Sequence, residues 1–236
     1  RAAGAGVSIM TEPLDYTASE LLAVMSGRIL VDGQTAFAGV GIPLLAAVLA
    51  AGIPLQAVIG GITVLTDLNP WIVSLHLLLS MALVGLSVRF LQVLDRPTPA
   101  VGGPATTLAW IVLAAAWVVL YLGTVVTGSG PHAGDADSPR NGLDPLQWSQ
   151  LHADAVFLYL GLTIGLLLCL MAVRADRAAV RVVVWLLVAQ LAQGAIGFVQ
   201  YFNDLPELLV GLHMLGAAIL SALTTAALLR VRHPEA

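Results

Sequence analysis

Six stretches of this chain are each long and apolar enough to cross a bilayer, which decides most of what it can fold into. A crossing needs roughly 20 mostly apolar residues to cover ~30 Å of hydrocarbon. The first stretch lies within Ala36–Thr66, with Leu44–Thr66 expected as its buried part. Its Gly41-Ile42-Pro43 and Gly52-Ile53-Pro54 steps are expected to break or kink it. The others are Trp71–Leu94, Ala105–Thr127, Leu151–Val173, Val180–Tyr201 and Glu207–Arg230. The pattern predicts an all-α, polytopic membrane protein with six transmembrane helices, and hence a lipid bilayer as partner. Composition agrees: 58% of residues are hydrophobic and only 10% charged, against about a quarter charged in a soluble domain. That excludes a disordered chain and argues against a water-soluble globule.

Charge says more by position than by amount. The net charge of −4 implies neither a basic nor an acidic partner. All ten cations are Arg and none forms a cluster, so no nucleic-acid footprint exists. Arg89 and Arg96 flank one connection, Arg174, Arg177 and Arg181 another, and Arg230 and Arg232 the C-terminus. The alternate connections carry Asp67, then Asp135, Asp137 and Asp144, then Asp204 and Glu207. The positive-inside rule therefore predicts both termini inside and the acidic connections outside, with Trp71 and Trp148 at the outer boundary. Arg1–Asp32 has no compact apolar core, so no secretory signal is expected there. The single Cys169 permits no intrachain disulfide and no cysteine-based metal site.

Sliding the chain against itself reveals a repeat at an offset of 137 residues. Gln56 falls on Gln193, Gly60 on Gly197, Asp67 on Asp204, Leu68 on Leu205 and His76 on His213, without a gap. Chance apolar alignment would match Leu and Val, not Gln, Gly, Asp and His together. Spans one and two thus repeat spans five and six. The second half holds four spans and the first half only the last two of its four. The position matching His152 is Asp15, in a polar stretch ending at Glu20. The repeat predicts an eight-span ancestor, with this chain a truncated copy or a fragment. Three segments follow: a polar 1–35, a two-helix remnant of a first bundle at 36–95, and a four-helix bundle at 104–230.

Ionisable groups inside a membrane are costly and usually have a job. His76 lies six residues past Pro70, so about 9 Å deep, and His213 seven past Pro206, about 10 Å deep. His152 is expected to open its span just after Trp148. A lone membrane histidine ordinarily bonds a neighbouring helix. Three at one depth, two of them related by the repeat, point instead to a cofactor between helices. Neutral imidazoles from two helices are ready axial ligands for heme iron. His152 and His213 are the stronger pair and His76 the weaker candidate. His132 lies in the Gly-rich turn Gly128–Asp135, where a structural role and a substrate contact are equally open. His233 reads as a solvated tail residue.

Other polar residues carry less. Asp154, two past His152, does not share its helix face. Gln56 and Gln193 suit either a propionate contact or helix adhesion. Tyr121, Tyr159 and Tyr201 suit contact with a cofactor ring but read by default as aromatic packing, and Cys169 as inert.

These residues resemble the heme A synthase family. The resemblance rests on Gln56–Thr66, His76-Leu77-Leu78-Leu79-Ser80, Val126–Asp135, Leu151-His152-Ala153-Asp154, Gln200-Tyr201-Phe202 and Leu209–Met214, over roughly Leu44–Arg230. The run Thr127-Gly128-Ser129-Gly130-Pro131-His132-Ala133-Gly134-Asp135 is its most specific motif. The resemblance implies two pseudo-symmetric four-helix bundles, the second holding heme b between His152 and His213. It implies substrate heme O in the first bundle, at His76, with a ring methyl oxidised to the formyl group of heme A. It further implies the bacterial cytoplasmic membrane, with heme O synthase and terminal oxidase assembly factors as partners. The chain departs from the family where its first two spans, a cysteine pair and a Glu and His of the second span would stand. A bis-His membrane cytochrome without catalysis, which would only bind heme or pass electrons, and a His-bearing transporter are the competing expectations. The electron donor stays open, and a homo-oligomer is possible.

Overall fold

The computed structural model describes residues 17, 20, 42–94, 103–131 and 137–231. The proposed 1–35 segment lies outside the described residues apart from Thr17 and Glu20, as do His132 and His233. Those two N-terminal residues form a reciprocal capping box: Glu20 accepts from the Thr17 backbone at 2.6 Å, and Glu20 N–H donates to Thr17 Oγ1 at 3.2 Å.

Within the unit Val40–Ala236, the described residues form six helices. They are α1 (Ile42–Leu65), α2 (Pro70–Leu94), α3 (Gly103–Ser129), α4 (Pro145–Ala172), α5 (Arg177–Phe202) and α6 (Glu207–Val231). Each is long and apolar enough to cross a membrane. Two expected boundaries move. Helix α1 begins at Ile42 and runs without interruption through Pro54, so the Gly52-Ile53-Pro54 step does not end it. Proline inside a membrane helix is tolerated because local adjustments and neighbours satisfy the freed carbonyl. Helix α4 starts at Pro145, six residues before the expected Leu151, because Asp144 caps it and proline takes the first position. The Asp144 carboxylate accepts from Leu146 N–H at 2.9 Å, a bond at a helix start that apolarity alone does not reveal.

The last four helices close a ring: α3 packs on α4, α4 on α5, α5 on α6 and α6 on α3. Helices α4 and α6 stand on the diagonal and do not pack on each other. Helix α2 packs on α3 and α6 from outside the ring, and among the described helices α1 packs on α2 alone. Two ends of the molecule differ in charge. Asp67, Asp137, Asp144, Asp204 and Glu207 mark the acidic end, and Arg89, Arg174, Arg177, Arg181 and Arg230 the arginine end. The arginine half of the ring is packed solid, with Val112, Leu166, Leu170, Val183, Leu186 and Val231 almost wholly buried.

The 137-residue repeat has structural counterparts. Asp67 and Leu68 close the α1–α2 turn at φ of 52° and 56°, and Asp204 and Leu205 close the α5–α6 turn at 56° and 56°. Such left-handed turns cost L-residues roughly 1–2 kcal/mol each. Both turns offset this with one bond of the same length, Leu68 N–H to Thr63 O and Leu205 N–H to Gln200 O at 2.8 Å. The repeated helices also meet each other. Gln92 Nε2 donates to the carbonyl of Leu229, its own repeat position, at 2.9 Å, and Ser221 Oγ donates to Met81 O at 3.1 Å.

Candidate functional site

Helices α2, α4 and α6 all begin at the acidic end, so position along each helix measures depth. His76 is six residues into α2, His152 seven into α4 and His213 six into α6. At 1.5 Å per residue, all three lie about 9–10 Å below that end. His152 therefore does not open its span, as its sequence position suggested; the early start of α4 brings it level with the other two.

Each imidazole lies against a glycine of the preceding helix. A β-carbon on Gly60 would stand 3.4 Å from His76 Cε1, one on Gly123 3.2 Å from His152 Cε1, and one on Gly197 3.2 Å from His213 Cε1. The two repeated hairpins share a further strap. Gln56 Nε2 donates to the His76 carbonyl at 3.3 Å and to Ser80 Oγ at 2.9 Å. Gln193 Nε2 donates to the His213 carbonyl at 2.6 Å, and its amide occupies the space that a side chain on Gly216 would need. The glutamines thus act in helix adhesion, the second of the two roles open to them. The α3–α4 hairpin has Val119 where the others have glutamine, one turn before its glycine, and its backbone lies beside the His152 ring.

His152 and His213 stand at one depth on the two helices that face each other across the diagonal of the ring. Their surroundings differ from the rest of the bundle. On α4, α5 and α6 the buried side chains stop short of the histidines: Tyr159, Thr163, Leu166 and Leu170 on α4, Gln193 as the last on α5, Ser221 as the first on α6. Between α5 and α6 this half is indented by a cavity of about 220 Å³, lined by Gln193, Ile196, Leu212, Leu215 and Gly216 among others. Buried polar atoms lack protein partners: Nδ1 of His152 and His213 and Oε1 of Gln193 and Gln200 in this half, and Oε1 of Gln190 below it. His76 Nδ1 is orphaned in the same way on α2.

The remaining candidates separate. Asp154 is exposed, as its helix face requires, and so are Tyr121 and Tyr201. Cys169 packs against the arginine-half core. Tyr159 goes beyond packing: it is buried and its hydroxyl shares a hydrogen bond with Thr224. The 137-residue offset pairs Gly60 with Gly197, but nothing in the sequence ties any of the three glycines to a histidine, because each partner sits on another helix. Among the described residues, no three His, Cys, Asp or Glu side chains gather as a metal-ion cage.

Comparison with protein-family models, with curated proteins and with solved structures found no match.

Proposed function

We propose that this chain holds a heme b between His152 and His213 and works as a heme A synthase, with heme O as substrate at His76. The observation that carries the reading is the pair of imidazoles at one depth on the two diagonal helices, in the half of the ring where the buried side chains of α4, α5 and α6 have stopped. An unmet buried polar atom costs roughly 1–3 kcal/mol, and each of the three histidines leaves one ring nitrogen in that state. Two neutral imidazoles suit an iron porphyrin, whose ring supplies the other four ligands, and burying them carries no charge penalty. Bound iron porphyrin supplies one-electron and oxygen chemistry. This chain's residues supply position: Gly123 and Gly197 let the rings lie against α3 and α5, and Gln193 fixes the backbone that carries His213. His76 repeats this arrangement on α1–α2 with Gly60 and Gln56. The resemblance to the heme A synthases assigns the reaction, oxidation of a ring methyl to a formyl group, and a bacterial cytoplasmic membrane serving terminal oxidase biogenesis.

A second reading has its own observation. Helix α1 packs on α2 alone, so the described residues give His76 no facing histidine, and a non-catalytic bis-His cytochrome would need none. The test is spectral and chemical. Protein purified from heme-replete cells is expected to show a six-coordinate low-spin heme b. His152→Ala and His213→Ala should each abolish that spectrum and His76→Ala should keep it. In a host lacking its own synthase but supplied with heme O, extracted pigment should contain heme A with the unaltered chain and none with His76→Ala. Heme b without heme A would establish the cytochrome; a colourless protein would overturn both readings.

A further inference from the structure

Below the histidine pair, at mid-helix depth, lies a polar floor inside an otherwise apolar bundle. Tyr159 and Thr163 on α4, Gln190 on α5 and Thr224 on α6 are 2%, 0%, 4% and 1% exposed. Tyr159 Oη and Thr224 Oγ1 share a hydrogen bond, and Gln190 Nε2 donates to Thr163 Oγ1 at 2.8 Å. The Tyr159 hydroxyl also lies beside the Gln190 side chain. Four buried polar side chains are costly in a bilayer core unless they do something that apolar packing cannot.

Their topology indicates what that is. Helices α4 and α6 carry His152 and His213 yet do not pack on each other. Among the described residues, the Tyr159–Thr224 bond is the one hydrogen bond that joins them directly. Tyr159 is two turns from His152 on the same face of α4, and Thr224 three turns from His213 on the same face of α6. Gln190 ties α5 to α4, and Gln193 ties α5 to α6 through the His213 carbonyl. The three helices around the site are thereby joined pairwise by directional bonds.

We infer that Tyr159 and Thr224 are positioning residues that set the separation of the His152 and His213 helices, with Gln190 and Thr163 bracing them. An apolar pair of the same volume would fill the space but leave the diagonal free to breathe. The inference rests on the heme reading only for what the separation serves; the tie itself is a property of the protein. Its test therefore has two readouts. Spin labels at Gln147→Cys and Glu207→Cys, on the full chain with Cys169→Ser, report the α4–α6 distance whether or not heme is bound. Tyr159→Phe and Thr224→Val should each broaden that distance distribution, and Thr224→Ser should restore the narrow one. In heme-loaded protein the same two variants should keep the heme yet shift its low-spin electron paramagnetic resonance signal and its midpoint potential, again with Thr224→Ser restoring them. Unchanged distances in both variants would overturn the tie. Broadened distances with an unshifted heme signal would overturn its role at the site, and a colourless protein with broadened distances would overturn the heme reading while keeping the tie.

Discussion

At Gly197 the absence of a side chain matters more than any side chain nearby. A β-carbon there would stand 3.2 Å from His213 Cε1, and the opposing atom belongs to a stiff ring on a strapped backbone. Gly197→Val should push the imidazole away, at an overpacking cost of about 1–3 kcal/mol. The expected outcome is a lower melting temperature in detergent and loss of the low-spin spectrum. Gly211→Val is the control, because nothing lies within 4 Å of a β-carbon at that site. Such a control also separates ring displacement from a general penalty for valine in a helix. The histidines were legible in the sequence because an ionisable group in an apolar run stands out against its own neighbours. The role of Gly60, Gly123 and Gly197 was not, although the repeat pairs the first with the last, since what makes each necessary is an atom on another helix. Tyr159 does pack in the core, but its hydrogen bond was not legible for the same reason: its partner Thr224 is 65 residues away and on the diagonal helix.

Among the elements, the hairpin is the unit that repeats, and each repeated hairpin joins a left-handed turn to a glutamine strap. Gln193 Nε2 donates to His213 O within the apolar interior of the pair. Gln193→Leu removes that donor, and interhelical bonds of this kind contribute roughly 0.6–2 kcal/mol. Its unfolding midpoint should fall accordingly, and the branched leucine end must also find room against Gly216, where the amide now lies. Gln56→Leu should cost less stability, because its longer bond to His76 O at 3.3 Å is supplemented by one to Ser80 and α1 is mostly exposed. A larger effect at Gln56 than at Gln193 would contradict this ranking. The hydropathy of the chain located all six helices because apolar length is a property of the segment alone. It misplaced the start of α4 because Pro145 to Gln150 is polar in part. The capping aspartate and first-turn proline were the signals that count there.

For the whole molecule, the strongest asymmetry is the sorting of charge between its two ends, and the apparent exceptions have local explanations. Arg140 lies at the acidic end, but its guanidinium donates to the carbonyls of Ser138 at 2.8 Å and Pro131 at 2.6 Å. Asp176 lies at the arginine end because it caps α5, accepting from Ala178 N–H at 3.1 Å. With these set aside, arginines near the ends of α2, α4, α5 and α6 all fall on one side. Arginine in short connections resists translocation, so that side should be cytoplasmic and the level of the three histidines should lie in the outer leaflet. Single cysteines test this in a Cys169→Ser background. Asp137 and Arg177 are both exposed and lie at opposite ends. Replacing Arg177 leaves Arg174 and Arg181 to hold the orientation. An impermeant thiol reagent applied to intact cells should label Asp137→Cys, and should label Arg177→Cys only after the membrane is opened. The reverse pattern would put the histidines in the cytoplasmic leaflet and overturn the orientation.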